Sequence, residues 1–137
     1  MSVIDVGKLL QEISPEAPSG PNLEYEPAYA ELQRLAQGKA EQQIGESKIE
    51  AEEPNWKEAK TRAIELLART RDLRLSMLLT RALVRTDGLA GLHDGLELLK
   101  GLVEKFWETV HPQLDPEDNN DPTMRVNIIA ALCHADS

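Results

Sequence analysis

The sequence has almost no cysteine, since Cys133 is the single thiol among 137 residues. One cysteine excludes an internal disulfide and a thiolate metal cluster, which fits a reducing compartment. Long hydrophobic runs are also missing, because no stretch approaches the roughly 18 uninterrupted apolar residues of a membrane span. The first residues lack the charged start, apolar run and cleavage site of a secretory signal. We therefore expect a cytoplasmic protein with no direct membrane insertion.

Positive charge is in short supply as well. The chain has 15 lysines and arginines against 24 aspartates and glutamates, which gives a net charge of -9. Binding to nucleic acid or to an anionic membrane surface depends on a positive field, so the composition argues against both. The basic residues concentrate in one stretch, because residues 57–85 hold eight of them and only three acids. The chain is therefore acidic with a basic middle.

Aromatic residues make up only 4% of the chain, so the core must consist mainly of aliphatic side chains. These recur at helical spacing, without the alternation typical of strands. They predict a short first helix over residues 3–13, a second helix that begins at Pro27 and a third that Asn55 caps ahead of Trp56. Residues 72–86 have apolar side chains on more than one side, which predicts a central helix covered by the others. Residues 14–22 hold three prolines and a glycine and predict an extended connector. The polar residues 37–53 predict a frayed helix end and a loop. The predicted fold is all-α, a compact bundle of about six helices with a Pro/Gly-rich extended connector near the N-terminus, forming a single domain over 1–137.

The clearest helical pattern follows the breaker Asp87-Gly88 and alternates steps of three and four residues. It comprises Leu89, Leu92, Leu96, Leu99, Val103, Phe106 and Val110. Three glycines interrupt this leucine stripe, and it is too short for a free coiled coil, so we predict packing inside the bundle. Gly95 and Gly101 are expected to let a neighbouring helix approach closely.

No residue pattern predicts catalysis. The sequence has no nucleophile signature and no phosphate-binding glycine loop. Its three histidines, His93, His111 and His134, fall on different predicted elements. His93 and Glu97 are one turn apart and are expected to form a solvent-facing pair, while His111 before Pro112 suits the end of a helix. We predict that the protein is not an enzyme and uses no cofactor or bound metal.

The acidic loop 115–121 keeps one alternative open. A calcium loop that began at Asp115 would need glycine at its sixth position and glutamate at its twelfth, but these are Asn120 and Val126. The sequence favours a solvated loop in which Asp121 caps the last helix, with Pro122 at the first helical position. A calcium-responsive helical binding module that uses residues 115–121 remains the alternative function.

Four arginines of the basic middle fall within one narrow stripe of a predicted helix: Arg71, Arg74, Arg81 and Arg85. A guanidinium group can hold a carboxylate through two hydrogen bonds, so this stripe is the candidate binding site for an acidic partner. Pairing with the chain's own acids is the competing interpretation. Trp56 and Trp107 stand beside apolar neighbours and are predicted to be structural anchors.

Several motifs form a pattern in a fixed order along the chain. They are residues 18–25 (PSGPNLEY), Trp56, residues 71–74 (RDLR), residues 91–96 (GLHDGL), Trp107 with Val110-His111-Pro112, and Asp121-Pro122 with Arg125 and Asn127. Together they resemble the ImpA-type N-terminal domain of TssA-like subunits of the bacterial type VI secretion system. The resemblance covers about residues 9–134, and the corner from Phe106 to Asn127 carries much of it.

The resemblance implies a cytoplasmic, non-enzymatic assembly module of a contractile injection machine. The implied partners are other type VI secretion proteins of the baseplate, the tube and sheath, or the membrane complex. It also implies that the full-length protein forms a ring-shaped homo-oligomer through a C-terminal region, which we expect to be absent from these 137 residues. The family supplies no catalytic residues.

Overall fold

The computed structural model describes residues 4–37, 42–44, 47–49, 54–114 and 116–131, and it confirms the all-α prediction. None of the helices in these ranges is both long and apolar enough to cross a membrane. The elements are α1 (Val6–Leu9), α2 (Pro27–Gln37), β1 (Gln42–Ile44), β2 (Ser47–Ile49), α3 (Trp56–Leu67), α4 (Leu73–Phe106), a short 3-10 helix (Pro116–Asp118) and α5 (Thr123–Ala130).

The two strands correct the expectation of a frayed helix end and loop at residues 42–44 and 47–49, while residues 38–41, 45–46 and 50–53 of that range lie outside the described residues. β1 and β2 pair antiparallel, with Gln42 opposite Ile49 and Ile44 opposite Ser47. The segment has no apolar repeat of helical period, so a helix there would have no face to bury. A short antiparallel pair lets its backbone groups hydrogen-bond to each other instead.

Helices α2 and α3 begin where the sequence predicted. α2 starts at Pro27 and buries Tyr29 and Leu32 on one face. Asn55 caps α3, because its Oδ1 accepts a hydrogen bond of 3.1 Å from the backbone N–H of Glu58, and such a cap contributes about 1 kcal/mol. The backbone N–H of Asn55 also donates to the carbonyl of Leu35 at 2.8 Å. This bond joins the start of α3 to the end of α2.

Helix α4 reverses direction at Gly88, as the breaker Asp87-Gly88 predicted. Gly88 has φ 62° and ψ −138°, a conformation outside the helical region. Fifteen residues of straight helix would separate Thr80 from Gly95 by about 22 Å, yet a Cβ on Gly95 would lie 2.5 Å from Thr80 Oγ1. The chain therefore folds back on itself, and we call residues 73–87 the first arm and residues 89–106 the second arm. Counted this way, the five α-helices of the described ranges form six helical segments, as predicted.

The first arm lies at the centre of the bundle. Its apolar side chains are buried on more than one side, as the sequence predicted, and they include Leu73, Leu75, Met77, Leu79, Ala82 and Leu83. Leucines of α2, α3 and the second arm complete a single apolar cluster around it. Full burial of one such leucine contributes about 1.5–3 kcal/mol, so this arm supplies much of the core's stability.

The leucine stripe of the second arm packs as predicted only in its second half, where Leu99 and Phe106 are buried. Leu89 is 84% exposed and Leu96 is 43% exposed, because the buried face of the first half runs through Gly91 and Gly95. Both faces have helical spacing, so periodicity alone could not choose between them. The glycine face is the buried one because the first arm approaches it more closely than a leucine side chain would allow.

The first helix is shorter than the predicted span of about 3–13. α1 covers only Val6–Leu9, and Asp5 caps it by accepting a hydrogen bond of 3.1 Å from the N–H of Lys8. Beyond it the carbonyl of Gln11 accepts hydrogen bonds of 3.0 and 2.7 Å from the guanidinium of Arg71. That carbonyl is therefore bonded to a distant side chain instead of a further helical turn.

The connector over residues 14–22 has no regular secondary structure, as expected. Its backbone is held by the start of α4, since the carbonyl of Ser19 accepts a hydrogen bond of 2.7 Å from the N–H of Arg71. The Thr70 hydroxyl donates to the carbonyl of Pro21 at 2.6 Å. Gly20 has φ 70°, and a Cβ there would lie 2.5 Å from the Arg69 carbonyl oxygen. Only glycine fits at this close approach.

We expect Gly91→Ala to lower the free energy of unfolding by about 1–3 kcal/mol, the usual cost of overpacking. The added Cβ would lie 2.2 Å from the carbonyl oxygen of Leu83, which is backbone and cannot easily move. Gly101→Ala is the matched control, because its Cβ meets only the flexible end of Leu10. Urea denaturation followed by circular dichroism measures both, and equal losses in the two variants would contradict this account of how the arms pack.

Candidate docking surface

Arg71, the first arginine of the predicted stripe, does not lie at the surface. It is 3% exposed, and its guanidinium donates to backbone carbonyls of Gln11, Leu67 and Thr70. Burial lowers the pKa of Arg71 from its ordinary value, but an arginine side chain stays protonated in proteins. The structure therefore corrects the prediction that Arg71 belongs to a docking face: it joins the N-terminal segment to the turn between α3 and α4.

Arg74 is half-buried and paired within the chain. Its Nε and Nη2 donate to the buried carboxylate of Asp72 at 3.1 and 2.8 Å, and its Nη1 lies 3.3 Å from Glu24 Oε2. Burial alone lowers the pKa of Arg74, but the hydrogen bonds and charge of Asp72 more than offset this and hold it above its ordinary value. The charge of Arg74 is therefore already compensated, as the competing interpretation of the stripe proposed.

Arg81 and Arg85 differ from the other two, because neither forms a salt bridge within the part of the chain that the structure describes. Arg85 is exposed, and its guanidinium lies over the half-buried ring of Trp56, 5.5 Å from the ring centroid. Arg81 is partly buried, and its Nε is buried without a hydrogen-bond partner. A buried donor left without a partner costs about 1–3 kcal/mol.

An apolar groove of about 210 Å³ runs along the same face of the first arm, between α2 and α5. Its lining is mostly aliphatic and aromatic, and we call it the Arg81 groove: Tyr29, Gln33, Arg74, Met77, Leu78, Arg81, Ile128 and Ala131. The four lining residues of the first arm occupy positions 74, 77, 78 and 81, which is the i, i+3, i+4, i+7 pattern of one helix face. The lining of this apolar groove therefore includes an arginine that has no salt bridge within the described residues.

Tyr29 contributes a phenol to this groove and is 2% exposed. Burial and, to a smaller extent, the negative charge of Asp72 together raise the pKa of Tyr29 to about 12. The guanidinium of Arg74 lies 5.7 Å from the centroid of the ring. The phenol therefore stays neutral over the physiological range, and the groove keeps its apolar character.

A second buried arginine closes the corner between α4 and α5. Arg125 is 1% exposed, and its guanidinium donates to the carbonyls of Pro112 at 2.9 Å, Val110 at 2.7 Å and Trp107. It also lies over the partly buried Trp107 ring, 4.6 Å from the centroid. In the sequence, Arg125 stands out only as part of the family motif. An arginine in an exposed helical pattern gives no local sign that it will be buried.

His111 is buried in the same corner, 5% exposed, and is followed by a cis peptide bond to Pro112. Its Nε2 donates to the carbonyl of Gly20 at 2.9 Å, and its backbone carbonyl accepts a hydrogen bond of 2.8 Å from the N–H of Leu73. The prediction that the His111 ring serves the end of its own helix is therefore wrong, because the ring bonds to the carbonyl of Gly20 instead. His111 joins the connector to the start of α4.

His93 lies on the second arm and is solvent-facing, as predicted, with its side chain 73% exposed. Its Nδ1 lies 3.3 Å from Asp94 Oδ1 and 3.8 Å from Glu97 Oε2. Asp94 is fully buried, and its other carboxylate oxygen accepts a hydrogen bond of 3.0 Å from the N–H of Ile4. Asp94 therefore holds the N-terminal segment against the second arm. His134 and Cys133 lie outside the described residues.

Asp121 hydrogen-bonds the first turn of α5 from one position earlier than predicted. α5 begins at Thr123 with Pro122 at the N-cap, and Asp121 Oδ1 accepts from the N–H and hydroxyl of Thr123 at 2.9 and 2.5 Å. These hydrogen bonds lower the pKa of the Asp121 carboxyl. Asp115 lies outside the described residues, so the calcium alternative for loop 115–121 stays a prediction.

The arginine stripe is visible in the sequence, but the groove beside it is not. Met77 and Leu78 lie at helical spacing between Arg74 and Arg81, and this was the available signal. No sequence signal marked the residues of α2 and α5 that line the groove, because the positions of these helices depend on tertiary contacts.

The fold and the motifs have known relatives. The structure resembles the solved N-terminal domain, including the conserved ImpA_N region, of the TssA component of the type VI secretion system from Burkholderia cenocepacia. The TM-score is 0.76 at 34% sequence identity, covering 96% of this chain and 47% of that one.

The family model of the ImpA N-terminal region of the type VI secretion system matches residues 10–134. The chain is also 45% identical over 130 residues to the type VI secretion system component TssA1 of Pseudomonas aeruginosa. The chain belongs to this ImpA N-terminal family, and the resemblance drawn from its motifs is confirmed. The match covers 95% of the chain but only 38% of the length of TssA1.

We expect Arg125→Met to lower the free energy of unfolding by about 2–4 kcal/mol, because it removes charged hydrogen bonds and leaves buried carbonyls without donors. Arg62→Met is the control, since Arg62 forms an exposed pair with Glu58 on α3, and such pairs contribute about 0.3–0.5 kcal/mol. Urea denaturation measures both variants. A loss at Arg125 no larger than that at Arg62 would show that the corner does not depend on this guanidinium.

We expect Tyr29 to make stability fall between about pH 10 and pH 12. The phenol has an ordinary pKa of 10.0 and a folded pKa of about 12, so only the unfolded state loses its proton in this window. The contribution of Tyr29 to the free energy of unfolding is fully present below pH 10 and is lost as pH rises through 12. Unfolding free energies measured across this range for wild type and Tyr29→Phe test it, because an identical pH dependence in both would contradict the raised pKa.

Proposed function

We propose that this chain is a non-enzymatic docking module of a TssA-like type VI secretion subunit. It binds another protein of the machine, in the baseplate, the tube and sheath, or the membrane complex, through the face of the first arm that carries Arg81 and Arg85. Family membership supports a role as part of a secretion component. The choice of face rests on one observation: these are the stripe arginines without a salt bridge in the described part of the chain.

The arginines of the stripe differ in how much of their charge is available to a partner. Arg71 and Arg74 are already bonded inside the chain and have nothing left to offer an acidic partner without disrupting their own contacts. Arg85 is held over Trp56, so its guanidinium is presented at the surface with part of its conformational freedom already removed. Cations placed in this way favour an acidic partner surface and speed its association. The proposed face is therefore narrower than the stripe predicted from sequence.

The rest of the proposal follows the family. The chain acts as a single domain over 1–137 in the cytoplasm, and a C-terminal region of the full-length protein assembles the ring-shaped homo-oligomer. No substrate or catalytic step is assigned to the chain. The interaction with the other secretion proteins is its contribution.

We expect Arg81→Glu together with Arg85→Glu to weaken capture of the secretion partner by about tenfold or more, because reversed charges repel an acidic surface. The measurement is a pull-down of separately tagged baseplate, sheath and membrane-complex proteins by the 137-residue chain. Arg62→Glu on α3 is the control, since this arginine is also exposed but already paired with Glu58.

Circular dichroism checks that the double variant is folded. Undiminished capture of every secretion protein by the folded double variant would exclude the Arg81–Arg85 face. Failure of the wild-type chain to capture any of them would refute the docking function itself.

A further inference from the structure

The Arg81 groove combines two properties that a solvent-exposed surface does not normally keep together. Its lining is largely apolar, with Met77 and Leu78 from the first arm and Ile128 from α5. The same lining holds Arg81, which is partly buried and whose Nε has no hydrogen-bond partner. The guanidinium of Arg81 also has no carboxylate partner in the described part of the chain, so a carboxylate brought by a ligand would find it uncompensated.

Resting on the proposed function, we infer that this groove binds an acidic amphipathic segment of the secretion partner. A carboxylate of that segment pairs with the guanidinium of Arg81, and a neighbouring leucine or phenylalanine fills the groove. A cavity of about 150 Å³ is enough to hold benzene, so a groove of about 210 Å³ accommodates one such side chain.

Charge decides the chemistry of the occupant. Arg74 lies in the same groove, but Asp72 and Glu24 already compensate it. Arg81 is then the one lining cation with no carboxylate partner in the described part of the chain. A guanidinium beside an apolar floor is desolvated, which strengthens its attraction to a carboxylate. The groove therefore selects a segment with one acid placed next to its apolar anchor.

The spacing of the groove suits a helical segment. The lining positions 74, 77, 78 and 81 follow one face of the first arm, and α2 and α5 form walls on either side. Amphipathic helices dock in such grooves through apolar anchors three or four residues apart. An acid three or four residues from the main anchor would then lie on the same face of the partner helix and reach Arg81.

The test uses a display library of random 16-residue peptides selected against the 137-residue chain. We expect the enriched peptides to carry aspartate or glutamate three or four residues from leucine or phenylalanine. Enriched peptides of basic or uncharged sequence would overturn the inference. So would a selection that enriches nothing over an empty surface.

Variants then locate the binding of the enriched peptides. We expect Arg81→Gln and Leu78→Ala each to weaken binding by about tenfold, while Arg62→Gln and Leu89→Ala leave it unchanged. Arg81→Gln should not lower the melting temperature, because it removes a donor that has no partner in the free chain. Equal weakening by the Arg62 or Leu89 controls would place the peptide elsewhere.

Two further outcomes separate this inference from the proposed function. If capture of secretion proteins depends on Arg81 and Arg85 but no acidic peptide binds the groove, the docking function stands and the groove is refuted. If sedimentation shows that Arg81→Gln changes the association state of the chain itself, the occupant is a second copy and the inference is wrong. A selected peptide that competes with the captured secretion protein supports both.

Discussion

The close approach of the two arms of α4 is the constraint on which the rest of the structure depends. Gly88 allows the reversal, and a Cβ at Gly91 or Gly95 would overlap the first arm. Because the arms meet on the glycine face, Leu89 and Leu96 are left toward solvent. The same packing puts the first arm in the centre, with α3 and the second arm covering its apolar sides. The side that carries Arg74 and Arg81 then lies between α2 and α5.

The arginines of this chain differ in the hydrogen-bond partners that the tertiary structure gives them. Arg71 and Arg125 are buried and satisfied by backbone carbonyls of segments that have no helix to bond within. They act as cross-links between the connector, the start of α4 and the corner before α5. Arg81 is only partly buried, and its Nε has no such carbonyl to bond to. Residues of the same type therefore differ in their surroundings.

The acidic character of the chain gives this difference a functional meaning. With a net charge of -9, acids are plentiful in this chain, and Arg34, Arg62 and Arg69 each pair with one. Arg81 has no carboxylate partner in the described part of the chain, and it lies in the lining of an apolar groove. The chain belongs to the ImpA N-terminal family and spans 38% of the length of TssA1.

Sequence alone determined the helical class, the starts of α2 and α3, the break at Gly88 and the family, because these depend on local caps, breakers and the order of motifs. It could not decide which face of the second arm is buried, since Leu92 and Gly91 both lie in stripes of helical period. It also could not separate Arg71 from Arg81, because both lie in the same stripe. Tertiary structure decided these points through contacts between residues far apart in the chain. Carbonyls of the N-terminal segment reach Arg71, while α2 and α5 surround Arg81 with apolar side chains and leave its Nε unpaired.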